Sequence, residues 1–95
     1  MIRPNDLRGV RVMSQVPTWP TTIDEIMSSF GFALGAIDAR AGRGYRRAYA
    51  IWDIDRQWNY ERGRAWGLLA PRSVTLKRNG KVTITARRWF TNEIL

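Results

Sequence analysis

Apolar residues recur at Ile23, Ile26, Met27, Phe30, Leu34, Ile37 and Ala41, spacings of three and four that predict one amphipathic helix from about 22 to 41. Its start is marked by Thr22-Ile23-Asp24-Glu25, a capping-box pattern in which the threonine hydroxyl and the glutamate carboxylate satisfy free backbone donors. Gly42 is placed to end the helix in a left-handed cap. Gly31 and Gly35 lie inside it, and each costs about 1 kcal/mol against alanine. Four residues apart, they form a smooth strip that admits close approach of a second helix. The surrounding segment is too polar for the membrane-dimer version of that spacing. A second helix is predicted from 53 to 69, capped at Asp53 or its neighbour and stopped by Pro71, with Ile54, Trp58, Ala65, Leu68 and Leu69 facing inward. Gly63, beside Trp66, thins this helix to fit a neighbour.

After Pro71, residues 73–84 alternate around Asn79-Gly80, which predicts a β-hairpin with Lys77, Arg78 and Lys81 at its tip. From Thr83 or Thr85 onward the chain reads as a short C-terminal helix with Phe90 and Ile94 on its apolar side; a longer second strand is the alternative. Residues 1–21, with Pro4, Gly9, Pro17 and Pro20, read as an extended arm, with Trp19 as its anchor. The expected architecture is therefore mainly helical α+β: an N-terminal arm, then a single small domain over 22–95. That domain holds an antiparallel helix pair, a basic hairpin and a short terminal helix.

Composition narrows the chemistry. Ninety-five residues with 44% apolar and 25% charged content suit one folded domain. The chain has neither cysteine nor histidine, which removes disulfides, thiolate metal sites and the commonest general base, so no enzyme, cofactor or metal is expected. Asp53 and Asp55 read as capping and pairing residues, and Ala41-Gly42-Arg43-Gly44 lacks the context of a nucleotide-binding loop. No apolar run follows Met1–Asp6 and none is long enough to span a membrane, so a cytoplasmic, membrane-free protein is expected.

The net charge is +8, with arginine outnumbering lysine fourteen to two. A GC-rich genome raises that ratio without any function, but it does not set where the charges lie. Residues 1–61 carry eight basic and seven acidic side chains, whereas residues 62–92 hold Arg62, Arg64, Arg72, Lys77, Arg78, Lys81, Arg87 and Arg88 with no acid among them. Such segregation suits a face that neutralises phosphates. A second basic group, Arg40, Arg43, Arg46 and Arg47, is interleaved with Tyr45 and Tyr49, a mix that stacks on unpaired bases. Its other reading is a loop ion-paired to the flanking Asp38, Asp53 and Asp55. Of the five tryptophans, Trp58 and Trp66 are read as core, while Trp52 and Trp89 divide between core and a contact surface.

From Gly35 to Arg64 the chain resembles the ribosome modulation factor family of small basic bacterial proteins. The resemblance lies in a first helix ending in Ala41-Gly42-Arg43, a linker with Tyr45 and Tyr49, and Arg56-Gln57-Trp58 opening a second helix that carries Gly63 and Arg64. It covers about a third of the sequence. Asn59, Tyr60, Glu61 and Arg62 separate the tryptophan from Gly63, where the family has glycines closer behind it, and neither the N-terminal arm nor the tail from Pro71 has a counterpart. The resemblance implies a two-helix unit that binds ribosomal RNA and turns translation down, with Arg43, Arg56, Trp58 and Arg64 carried over. The segment Asn59–Arg64 followed by an Asn-Gly turn also resembles small phage and prophage proteins of unassigned role.

Together these readings point to a non-catalytic RNA- or ribosome-binding protein. The expected nucleic-acid contacts are Arg43, Arg46, Arg47, Arg56, Arg62, Arg64, Arg72, Lys77, Arg78, Lys81, Arg87 and Arg88, with Tyr45, Tyr49 and Trp89 stacking or touching a partner. The competing class is a phage-encoded factor that binds and inhibits a host protein; duplex DNA binding ranks third, since the second helix lacks helix-turn-helix spacing.

Overall fold

The computed structural model describes residues 22–94, so the expected N-terminal arm lies outside the described residues. In chain order the elements are α1 (Ile23–Ser28), α2 (Phe30–Arg40), a short 3-10 helix (Arg47–Ile51), α3 (Ile54–Leu69), β1 (Lys77–Arg78), β2 (Lys81–Val82) and α4 (Ile84–Glu93). This is the mainly helical α+β class expected, with a helix pair, an antiparallel hairpin and a terminal helix. No helix among the described residues is long and apolar enough to cross a membrane.

The first predicted helix is two helices. Thr22 and Glu25 close the capping box as expected, at 2.9 and 3.1 Å. At Ser29, however, the backbone turns extended: its hydroxyl donates to Ile26 O (2.7 Å), ending α1, and accepts from Phe32 N (3.2 Å), opening α2. The break rotates α2 relative to the predicted stripe. Phe32, Ala36 and Ala39 are buried, whereas Phe30 and Ile37 face water. At its far end Gly42, at φ +74°, closes a Schellman cap, with Gly42 N donating to Ala39 O and Arg43 N to Asp38 O.

The cause of the rotation is the contact with α3. A Cβ built on Gly35 would lie 2.1 Å from Tyr60 O, and one on Gly63 2.1 Å from Phe32 O. Backbone therefore meets backbone, and no large side chain fits between. Phe30, Leu34 and Ile37 on α2, like Leu68 and Leu69 on α3, are displaced from this seam, and the inward positions expected of Phe30, Ile37, Leu68 and Leu69 are corrected accordingly. The pair was expected antiparallel, but its contacts advance in the same sense on both helices. Gly31 meets Arg56 and Asn59, Gly35 meets Tyr60 and Arg64, and Ala36 and Ala39 meet Gly67. α2 and α3 thus run parallel, because residues 41–53 carry the chain back along the pair before α3 begins.

One apolar core covers the side of this seam: Ile26 and Met27 from α1, Phe32 and Ala36 from α2, Trp66 and Ala70 from α3, Val74, and Ala86 and Phe90 from α4. Phe32 is central, with its ring 6.2 Å from Trp66 and edge-on to Phe90 at 5.3 Å. Each such buried aromatic contributes about 2 kcal/mol. Trp66 keeps its polar atom satisfied by donating from Nε1 to Ala86 O at 3.0 Å, which ties α3 to α4. Arg40 clamps the other end, reaching Val74 O (2.9 Å) and Pro71 O (3.0 Å) while lying over the Trp66 ring.

The hairpin is shorter than residues 73–84. Its ladder pairs Lys77 with Val82 and Arg78 with Lys81, closed by Asn79 (φ 54°) and Gly80 (φ +77°), a type I′ turn. A turn at Pro71–Val74 consumes its expected beginning, and Thr83 consumes its end: the Thr83 hydroxyl donates to Thr75 O (2.6 Å) and caps α4 by accepting from Ala86 N (3.1 Å). The C-terminal segment is helical, with Phe90 buried and Ile94 packed against the core.

Candidate nucleic-acid interface

The connection from α2 to α3 is organised by one buried acid. Asp38 is 0% exposed, and its carboxylate accepts from Arg46 Nε (2.8 Å), Arg46 Nη2 (3.0 Å), Arg43 Nη1 (3.1 Å) and the Tyr60 hydroxyl (2.7 Å). The Arg46 fork holds the Asp38 carboxyl far below its ordinary range; burial opposes this, and Tyr60 and Arg43 reinforce it. Arg46 is correspondingly pushed up by Asp38. Of the sequence's two readings for this group, the ion-paired loop therefore describes Arg43 and Arg46. Arg47, exposed at the start of the 3-10 helix, has no carboxylate partner among the described residues.

Around this acid lies a second aromatic cluster, separate from the main core. Tyr45 meets Tyr49 edge-on at 4.9 Å and Tyr60 at 5.6 Å, and Trp52 lies 5.1 Å from Tyr60. Burial, aided by the Asp38 carboxylate, pushes the Tyr60 hydroxyl up; burial does the same for Tyr45. The Tyr49 hydroxyl donates to Glu61, and Gln57 Nε2 donates to Tyr49 O at 2.7 Å, stitching the linker to α3. Burial raises the Glu61 carboxyl, with Arg62 opposing. Arginines cap the rings: Arg64 lies 4.6 Å from the Tyr45 centroid, Arg56 5.3 Å from Trp52 and 5.5 Å from Phe30, and Arg62 5.2 Å from Trp58.

The later cations fall elsewhere. Arg78 and Lys81 sit exposed and directly opposite each other beside the hairpin turn, with no carboxylate partner among the described residues. Lys77 donates to Ser28 O at 3.3 Å, holding the hairpin to the end of α1. Arg72 donates to Arg40 O. Arg87 pairs with Asp24 at 2.6 Å, whereas Arg88 on the same helix is exposed with no acid partner among the described residues. Trp89 is partly buried against the main core.

The expected residues thus divide into groups with different duties. Tyr45, Tyr49 and Arg64 gather around the Asp38 hub with Arg43 and Arg46, whereas Arg78 and Lys81 form the hairpin tip. Arg56, Arg62, Arg72 and Arg87 serve packing, carbonyl or surface ion-pair contacts. Asp38 and Tyr60 were not among the expected site residues. The sequence's signal for Asp38 was its position one turn before Gly42 among four arginines; Tyr60 carried none, since the predicted inward face of its helix was a different one. No family model, no curated protein and no solved structure matches this chain.

Proposed function

We propose that the protein binds RNA, without catalysing a reaction on it, by presenting uncompensated cations to the phosphate backbone. The observation that carries this reading is the hairpin pair Arg78 and Lys81. Like charges directly opposite on a ladder repel, and here neither has a carboxylate among the described residues to offset the repulsion. A phosphate placed between them relieves it, and the Arg78 fork suits a bidentate contact. Arg47, Arg64 and Arg88 add positive charge that no described acid neutralises. The resemblance over residues 35–64 supports the more specific version, in which the RNA is ribosomal, the setting cytoplasmic, and the effect a lowering of translation.

Binding of the purified protein to labelled RNA across a salt series tests this. Affinity is expected to fall steeply with salt. Replacing Arg78→Glu together with Lys81→Glu should flatten the slope of log affinity against log salt by about 1.4, two phosphate contacts at ~0.7 each. RNA binding that is absent, or insensitive to salt, refutes the proposal, and stronger binding to duplex DNA redirects it.

A second reading has its own support. Phe30 and Ile37 on α2 and Leu68 on α3 are large apolar side chains left mostly exposed, a surface composition that suits a protein partner. In that case the chain acts as an interaction factor, as a phage protein blocking a host target would. Capture from lysate that survives nuclease treatment favours this reading; capture abolished by nuclease favours RNA.

A further inference from the structure

Resting on the RNA-binding reading, we infer that Tyr45 and Arg64 form a stacking site for an unpaired nucleobase, which makes the protein selective for single-stranded over duplex nucleic acid. Tyr45 belongs to the aromatic cluster, yet 54% of it remains exposed. A ring serving only to cover Tyr49 and Tyr60 would be expected to bury most of its surface.

The ring is also held ready. Its chain neighbours on either side, Arg43 two residues before and Arg46 one after, are both fixed to the buried Asp38 carboxylate, so the backbone carrying Tyr45 is anchored at both ends of the Arg43–Arg46 stretch. Tyr49 and Tyr60 support its edge. Little conformational entropy is left to lose when a ligand stacks on it, which favours affinity. Arg43 and Arg46 act here as positioning residues and do not touch the ligand.

Arg64 supplies the second component. Its guanidinium lies over the Tyr45 ring and makes a long 3.5 Å contact with the Tyr60 hydroxyl, with no carboxylate among the described residues to neutralise it. A nucleotide satisfies both groups at once: its base extends the Arg64–Tyr45 stack, and its phosphate takes the remaining guanidinium donors. Arg47, exposed and unpaired among the described residues two positions after Tyr45, is placed to meet a neighbouring phosphate. In a duplex the base faces are covered by their neighbours, so only a splayed, unpaired base can use this site. Neither contact reads the sugar, so the site takes unpaired bases of RNA or DNA.

Fluorescence anisotropy with labelled single-stranded RNA, single-stranded DNA and a hairpin RNA of matched length, at fixed salt, tests the inference on the whole protein. Single strands are expected to bind about tenfold more tightly than the hairpin stem. Tyr45→Ala should remove most of that preference while sparing duplex affinity, Arg64→Gln should weaken single-strand binding more than duplex binding, and Tyr45→Phe should keep the preference. Arg78→Glu with Lys81→Glu should weaken both forms alike. Thermal melts identify any variant that fails to fold, and where Tyr45→Ala does, Tyr45→Leu, which fills similar space without a ring, takes its place. Equal, salt-steep binding to single strand and duplex, or a preference untouched in Tyr45→Ala, overturns the stacking site but leaves the RNA-binding reading standing. No binding to any of the three overturns both.

Discussion

Gly63→Ala tests the seam on which the fold depends. The new Cβ would stand 2.1 Å from Phe32 O and 2.8 Å from Phe32 C and Cα, where ordinary van der Waals contact begins at 3.4 Å. All three atoms are backbone, so no side chain can swing aside, and α2 and α3 must separate by more than an ångström. A gap of that size forfeits between a quarter and a half of the dispersion attraction along the contact, and it disturbs Phe32, which packs on Trp66 and Phe90. Overpacking of this kind costs about 3 kcal/mol or somewhat more. Alanine's better helix propensity returns about 1 kcal/mol, leaving a net loss of about 2 kcal/mol, or a fall in Tm of about 10 °C for a domain of this size. Gly31→Ala is the internal control: its Cβ would meet Arg56 O at 3.1 Å and the Asn59 side chain at 3.3 Å, distances that a few tenths of an ångström relieve. It gains the same propensity and should leave stability within about 1 kcal/mol of the parent. Urea unfolding followed by tryptophan fluorescence and by circular dichroism measures both. A Gly63→Ala protein as stable as the parent, or less perturbed than Gly31→Ala, would refute the backbone-to-backbone seam.

Asp38→Asn removes the charge that holds Arg43 and Arg46, and should cost about 2 kcal/mol in urea unfolding, with Tyr45 the side chain most affected. Because the folded Asp38 carboxyl is depressed below its ordinary 3.8, its contribution is present above that pH and is lost progressively as pH falls beneath it; Tm measured from pH 5 down to 2 should drop, and less steeply in Asp38→Asn. Tyr45 and Tyr60 behave oppositely. Their hydroxyls are raised above 10.0, so their contribution holds below that pH and is lost as pH climbs past it, which alkaline titration followed by tyrosinate absorbance should detect as unfolding coupled to ionisation. Gly80→Ala places a side chain at φ +77° and should lower stability by about 1 kcal/mol in thermal melts, with the change confined to the hairpin in amide-exchange measurements.

The elements that the sequence disclosed are those fixed by local chemistry. Thr22 with Glu25, Asp53, Asn79-Gly80 and Gly42 each act within a few residues of themselves, and each does in the structure what its side chain or backbone freedom predicts. What periodicity could not disclose is which face of α2 turns inward. Phe30, Leu34 and Ile37 make the more apolar stripe, but a helix packed on another's backbone needs small residues at the seam, so Gly31, Gly35 and Ala39 prevail. Gly31 and Gly35 were legible as a contact strip; their partners Gly63 and Gly67 complete it from a helix whose phase was read differently. The break at Ser29 was hidden for a related reason: a serine serves helix interior and cap alike, and only its bonds to Ile26 and Phe32 decide between them. Of the candidate site, the arginine-and-tyrosine composition of the linker was visible, whereas the burial of Asp38 was not, since it depends on Tyr60 arriving from 22 residues away.

That burial changes what the net charge of +8 means for function. Several of the described acids already have internal duties: Asp24 holds Arg87, Asp38 holds Arg43 and Arg46, Asp53 caps α3, and Glu61 takes the Tyr49 hydroxyl. Arginine count is therefore a poor guide to where an anion binds, because in the basic run around Arg43 and Arg46 two guanidiniums are already held by a buried carboxylate. The cations left for a partner are those with geometry but no acid among the described residues: Arg78 opposed to Lys81 at the turn, Arg64 lying over an exposed tyrosine, and Arg47 and Arg88 in open solvent. A small domain carrying these charges unpaired is repelled by itself and relieved by phosphate. The same carboxylate that withdraws two arginines from binding fixes the tyrosine between them where a base can reach it, so the Asp38 hub contributes to recognition by arranging other groups, without touching the ligand.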